Sequence, residues 1–542
     1  MMRRKLLVLF ALGICYRMVM SLQGVDDTDA GFCNTFYTVF FDHPDANVFN
    51  FIYYLLGFVG ALWEQCCGQA GLLGFRLLEA CTLAASIGML CAAFRDLLPR
   101  PVLLSAAALS FLFPTIVVTF HYNTFSFLLI ASSAYFLMRY LKTEQRLFLV
   151  LTGIMVGLAF FVRIVNLTLL SLLVIPLWYD WKRQSWRRGM ASSSLMLAGI
   201  GCGVGLVALL MLALGNGQYY VAALGEAFST FSGDEATHSH GQLLIRYFRG
   251  YVNILLQVVA VLALWFVYRK SLQSSRVLRV TAVIGFLILA FTSQPYLTAL
   301  AVCLVLIGTY LVRLPAVSEG LVLSLYLLLA TIVYPFGSDI GVAGIFHWCA
   351  GLLFFPAVWC ATRLWTPALR QGLVAAGLCI GCCAVVRMAG YAYGEDKPRL
   401  YNWTPVQSER LNILTDSVKA AHYSNAISAI NQHVGESRLL FIANQAAELY
   451  YATRCLPFNG HVQPVIYQGE RLWQRLDERS RHFGEYPMVA FLNQEWMPEE
   501  IPGVQRITEE WMALHHYQLV FDDGYIRLYK TTDIPAATQE KR

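Results

Sequence analysis

The chain has 542 residues, 57% of them hydrophobic and only 14% charged, with a mean hydropathy of +0.54. Soluble domains are roughly half apolar, so a water-soluble fold could not hide this much apolar surface, and an integral membrane protein is expected. The formal net charge of +6 does not point to nucleic acid, because most basic residues lie between hydrophobic segments rather than on a soluble basic face.

Apolar runs long enough to cross a hydrocarbon core recur from Leu6 to about Val386. The first, residues 6–22, follows Arg3, Arg4 and Lys5. Arg17 interrupts it and no small-residue cleavage site follows, so it is expected to be a spanning helix rather than a signal peptide. A polar stretch, 23–50, and an apolar run, 51–63, too short to span and expected along the membrane surface, form most of a first outer loop over residues 23–70. Further runs begin near residues 71, 101, 124, 147, 167, 192, 252, 280, 297, 321, 340 and 372. That makes about 13 crossings.

The positive-inside rule supports this map. One set of loops collects 19 Lys and Arg, from Arg3 to Arg370, while the other set holds only Arg163, Arg246 and Arg249. Treating 51–63 as a span would destroy the asymmetry. An odd number of crossings then places the N-terminus in the cytoplasm and the C-terminal segment outside.

Beyond Tyr393 the apolar pattern stops. Residues 438–443 read as a strand leading into a helix near 445–452, and 487–492 read as another strand. Asp522-Asp523-Gly524 separates the alternating runs 517–521 and 525–529, a strong hairpin signal. The expected fold class is an all-α polytopic membrane domain, residues 1–394, followed by a small C-terminal soluble α/β domain, residues 395–542. Of the 14 cysteines, most lie in apolar runs. Cys33, Cys66, Cys67 and Cys455 fall in polar or boundary stretches, where a disulfide is open but its pairing is not readable.

The first outer loop opens with Val25-Asp26-Asp27-Thr28-Asp29-Ala30-Gly31-Phe32, and residues 23–70 carry no Lys or Arg. Neighbouring carboxylates at a low-dielectric boundary repel one another, which raises at least one pKa and suits a general base or a metal ligand. The plain alternative is a solvated helix terminus.

Asp29-Ala30-Gly31-Phe32, followed by Tyr37, Phe40 and Phe41-Asp42-His43-Pro44, resembles the D-x-G-[FY] motif of GT-C glycosyltransferases. This superfamily uses polyprenyl-phosphate-linked sugars and includes the protein mannosyltransferases and aminoarabinose transferases. Asp26-Asp27 resembles the paired acidic version of the same motif. The architecture of the whole chain is similar as well: an N-terminal helix, an acidic outer loop with a surface helix, many spans and an outer C-terminal domain. The resemblance implies a GT-C-like fold and an inverting enzyme in the cytoplasmic (inner) membrane. It would transfer a sugar from a polyprenyl-phosphate donor in the lipid bilayer to a lipid, glycan or protein acceptor. The carboxylate that deprotonates or orients the acceptor is expected to be Asp29, then Asp26, with Asp27 beside them.

A leaving phosphate needs cations, and the scarce outer Arg163, Arg246 and Arg249 are the natural candidates. Arg246 and Arg249 share a helix face if that segment is helical, with interfacial snorkelling as the alternative. Arg76 and Glu79 stand three apart within a span and are expected to pair, the other reading being contact between Arg76 and the donor phosphate. Asp234-Glu235-Ala236-Thr237-His238-Ser239-His240 could ligate a divalent metal together with the first-loop aspartates, His238 and His240 supplying the imidazoles, but the spacing matches no established zinc motif and a mobile polar loop is the favoured alternative. His121-Tyr122-Asn123 and Ser338-Asp339 occupy short outer turns that could line a cavity or merely cap helices. Two other functions remain open, a transporter or flippase of a lipid-linked saccharide and a non-catalytic envelope-assembly component. A transporter should carry its polar groups near the bilayer midplane, whereas here they gather at outer helix ends.

Overall fold

The computed structural model describes residues 2–26, 29–113, 119–232, 240–292, 295–313, 315–338, 341–364, 366–464, 469–493 and 502–535. Among these residues a helix occupies each anticipated apolar run. In chain order they are Met2–Met20, Gly71–Phe94, Arg100–Leu112, Tyr122–Thr143, Leu147–Val162, the 3-10 stretch Ile164–Leu173 continued by Val174–Arg183, Trp186–Leu214, His240–Ser274, Arg276–Thr292, Pro295–Val312, Glu319–Val333, Gly341–Arg363 and Pro367–Gly390. Seven described helical segments are long and apolar enough to cross a membrane by length and composition. That is fewer than the 13 crossings expected, in part because some helices fall short of a full span: Leu147–Val162 has 16 residues, Glu319–Val333 has 15 and Arg100–Leu112 has 13. Leu206, Leu209, Leu255 and Leu256 face outward and exposed, an apolar belt suited to lipid.

Arg17 and Glu79 pair inside the bundle, a partnership the local spacing does not suggest. Arg17 turns inward from Met2–Met20 and its Nη2 meets Glu79 Oε1 at 3.0 Å, both side chains fully buried. Arg76 instead closes the end of that same helix. It donates to the Ser21 carbonyl and, at 2.6 Å, to the Gly24 carbonyl. The expected Arg76–Glu79 tie therefore yields to two longer-range ones, because carbonyls beyond a helix C-terminus need donors and draw a cation.

After residue 394 a five-stranded sheet runs in the order Leu456–Pro457, Leu439–Ile442, Met488–Leu492, Ile526–Lys530, Gln518–Asp522. The first three strands are parallel, and the last two form the anticipated antiparallel hairpin. In the turn, Gly524 takes φ +80 and the Asp523 carboxylate accepts the Tyr525 and Ile526 N–H groups. The central strands are apolar on both faces because both faces are covered. Leu440, Ile442, Met488 and Ala490 join the core that continues into the membrane helices, while Leu439, Phe441, Val489 and Phe491 pack a second core with Trp511 and Leu472. The C-terminal region is thus continuous with the helical bundle through one sheet face.

That region and the first loop lie on the same end of the bundle. Arg410 pairs with Glu64, Arg475 with Glu226 at 3.1 Å, and His482 with Asp45 at 3.3 Å. On the basic loops, Lys142 meets Asp96, and Arg188 meets Glu144 at 2.7 Å.

Candidate functional site

The acidic loop is fastened before its helix begins. Gly24 N–H donates to the Leu414 carbonyl at 3.0 Å, and Leu414 N–H returns a bond to the Leu22 carbonyl at 2.9 Å. Val25 N–H donates to Glu395 at 2.9 Å, and Lys419 Nζ reaches the Val25 carbonyl at 3.4 Å. Burial raises the Glu395 carboxyl above the usual carboxylate range, against the opposing pull of Lys419. Asp26 is almost fully buried, and its Oδ2 accepts the Ala30 N–H at 3.0 Å, one of the otherwise orphaned donors of the first helical turn. Asp29 opens the loop helix Asp29–Val39 half-buried, its carboxylate at the positive end of the helix.

The loop helix is held on both sides. Asn34 Oδ1 accepts from Thr119 at 2.7 Å, and Tyr37 donates to the Phe120 carbonyl at 2.7 Å, which anchors the His121-Tyr122-Asn123 turn. On the other side, the helix Ala447–Thr453 of the C-terminal region packs so closely that a Cβ on Gly31 would meet the Ala447–Glu448 backbone. Thr35 donates to the Ala447 carbonyl at 3.4 Å, and Asn34 Nδ2 approaches Glu448 Oε1 at 3.5 Å. Glu448, fully buried, lies within electrostatic reach of Arg76 and Cys33.

From the loop helix an aromatic wall runs to a buried cation. Phe32, one turn beyond Asp29, meets Tyr53 edge-on with centroids 5.6 Å apart, and Tyr53 stacks on Tyr122 at 5.2 Å. The Arg163 guanidinium lies 5.5 Å from the rings of both Tyr122 and Tyr334. Asp29 lies within electrostatic reach of the same Tyr122. Arg163 is 6% exposed, and its Nη1 has no hydrogen-bond partner among the described residues. Its backbone is set by the end of Leu147–Val162, where Arg163 turns extended and Asn166 Nδ2 donates to the Ala159 carbonyl at 2.8 Å. Tyr334 is fixed in turn by its bond to Asn123 Oδ1 at 2.7 Å. An unmet guanidinium donor in so dry a place suits an anionic ligand.

The wall ends in a residue from the C-terminal region. His461 lies 4.8 Å from Phe49 and 5.7 Å from Phe32, centroid to centroid. Its Nδ1 sits 2.9 Å from both the N–H and the carbonyl of Gln463, and its Nε2 is buried with no hydrogen-bond partner among the described residues. Burial lowers its pKa from the ordinary 6.5 to about 4. Because the folded state resists protonation, the unfolded chain binds more protons between these values, and stability is lost as pH falls through that window. Stability should therefore be level above about pH 7 and decline by up to roughly 3 kcal/mol between pH 6.5 and 4 from this group. Comparing melting temperatures of the parent and His461→Gln across that range checks this, and an identical slope in the variant would remove His461 as the cause.

The other anticipated residues are placed as follows. Asp27, Asp234, Glu235, His238 and Asp339 lie outside the described residues, and His240 opens a helix with its side chain outside the description. Arg246 and Arg249 are exposed on His240–Ser274. Between them Tyr247 donates to the Ser338 carbonyl at 2.9 Å, so that helix abuts the turn following Tyr334. Arg76 holds backbone carbonyls rather than facing the aromatic wall's cation. No group of three or more His, Cys, Asp or Glu side chains suited to a metal comes together among the described residues. Cys33, Cys66, Cys67 and Cys455 are free thiols. Tyr53, Tyr334, Glu448 and His461 were not singled out from the sequence. No local sequence pattern marks any of them, since each gains its place through contacts distant in the chain.

The overall fold has counterparts among solved structures. A crystal structure of the Archaeoglobus fulgidus oligosaccharyltransferase complexed with Zn and sulfate is similar to this chain at a TM-score of 0.52 and 10% identity, over 92% of this chain and 70% of that one. A second structure of that enzyme, tethered by a disulfide to an acceptor peptide containing the NVT sequon, is similar at a TM-score of 0.51 and 10% identity, over 93% and 68%. No protein-family model and no curated protein matches the sequence. At 10% identity the likeness is one of fold.

Proposed function

We propose that this protein is a glycosyltransferase that moves a sugar from a polyprenyl-phosphate donor to an acceptor on the outer face of the cytoplasmic membrane, with inversion. The observation that carries this reading is the meeting, on one aromatic wall, of the half-buried Asp29 and a buried Arg163 with an unmet donor. Asp29 takes the proton of an acceptor hydroxyl or amine. The acceptor heteroatom forms a bond to the anomeric carbon as the carbon–oxygen bond to phosphate breaks. The electron pair leaves with the phosphate, whose new negative charge lies against Arg163. Phe32, Tyr53 and Tyr122 offer flat faces to the sugar, and His461 Nε2 offers a hydrogen bond to one of its hydroxyls.

Arg246 and Arg249 stand at the rim and attract the phosphate as the carrier approaches. All thirteen helical runs cross the membrane in this reading, short ones included, with the N-terminus cytoplasmic and residues 395–542 an outer domain. An oligosaccharyltransferase of the same fold, solved with an acceptor peptide, supports a transferase over a transporter.

The test is transfer by the purified protein in lipid from a panel of polyprenyl-phosphate sugars. Arg163→Gln should lower transfer roughly 100-fold, as loss of one aimed donor does, and Arg163→Lys should restore part of it. Donor movement across the bilayer without transfer would make the protein a transporter, and full activity in Arg163→Gln would remove Arg163 from the site.

A further inference from the structure

The other end of the bundle holds a cavity of about 380 Å³ unrelated to the aromatic wall. It lies among His240–Ser274, Arg276–Thr292, Pro295–Val312 and Pro367–Gly390. Its walls are apolar apart from a few hydroxyl groups and ring N–H or O–H groups, and among the described residues no Asp or Glu lines it. Two cations do, Arg269 and Arg313, both exposed. Arg313 follows the last residue of Pro295–Val312, and Thr366, which caps Pro367–Gly390, lines the same end. The charged mouth therefore lies where helices meet the membrane surface, and the apolar part runs inward.

The depth identifies what fits. At 1.5 Å rise per residue, Arg269 to Val261 covers about 12 Å and Arg313 to Val302 about 16 Å of helix. The hydrocarbon core is about 30 Å thick, so the cavity reaches about halfway, the depth of one leaflet. A dry apolar void loses dispersion contacts, and water finds few partners there, so an acyl chain is the natural filling. Gly372 lets the Trp265 ring lie close against its helix, because a side chain there would strike that ring. Guanidinium groups form paired hydrogen bonds to phosphate and favour a headgroup of net negative charge over a zwitterion.

We propose that this cavity binds an anionic glycerophospholipid from the leaflet opposite the acidic loop, its phosphate between Arg269 and Arg313 and one acyl chain along Trp265 and Gly372. A leaflet-deep slot favours an ordinary acyl chain over a long isoprenoid. The site is independent of the transfer reaction.

Native mass spectrometry and thermal melting of the full-length protein test it, with phosphatidylglycerol, phosphatidylcholine and a polyprenyl phosphate as probes. Phosphatidylglycerol should stay bound and raise the melting temperature, with phosphatidylcholine at least about tenfold weaker, because its choline cation is repelled by the two guanidinium groups. The Arg269→Gln/Arg313→Gln double variant, altered only at exposed positions, should keep its fold and lose that preference. Ala376→Phe, which fills the apolar slot, should lose binding of both phospholipids. Equal retention of the two phospholipids, tighter binding of the polyprenyl phosphate, or an unchanged preference in the double variant would overturn the proposal.

Discussion

Asp29→Asn is expected to lower sugar transfer roughly 10²- to 10⁴-fold, the usual contribution of a positioned general base, while the protein inserts and folds as before. Asn keeps the shape of the side chain and removes only its ability to take a proton. Asp26→Asn should behave differently. Asp26 is almost fully buried and its Oδ2 receives the Ala30 N–H, which an Asn oxygen can also do. That variant should keep transfer within about tenfold of the parent, whereas Asp26→Ala should weaken the first turn of the loop helix by about 1 kcal/mol. Transfer rates for the two Asn variants, measured alongside Asp27→Asn, decide the assignment. Silence in Asp26→Asn with activity in Asp29→Asn would exchange the two roles.

Gly31→Val should be the most damaging change away from the proposed chemistry. A Cβ at this position meets the backbone at Ala447 and Glu448, which cannot move aside as a flexible side chain could. Overpacking of this kind costs roughly 1–3 kcal/mol. Separation of the two helices would also lengthen the bonds from Thr35 and Asn34. Transfer should fall more than about tenfold, with faster hydrogen exchange in Ala447–Thr453. Unchanged protection there would show that the docking does not depend on the missing side chain.

Much of the architecture is legible in the sequence, because runs of apolar residues report burial directly. The first helix, the helix reaching Arg163, the strand Leu439–Ile442 and the hairpin at Asp523-Gly524 all lie close to where their patterns put them. Pattern does not report partners. Glu79 looks paired with Arg76 when only the local spacing is seen, yet it meets Arg17, 62 residues away. Glu448 approaches Asn34 across 414 residues, and His461 reaches Phe32 from a segment that reads as an ordinary soluble domain. The candidate site was legible where one residue type was scarce, as with Arg163 among the outer loops. It was not legible where common residues such as Tyr53 and Tyr334 acquire their place only by packing.

The backbone bonds joining Leu22 and Gly24 to Leu414 set an order of events in biosynthesis. The partner strand is made almost 400 residues after the acidic segment, about 20 to 80 s later at ordinary elongation rates. During that interval the carboxylates lack their final frame. Assembly of the proposed active centre thus waits for Leu414, and a chain cut short after Pro367–Gly390 would carry the acidic motif held by Arg76, Thr119 and Phe120 but without this strand.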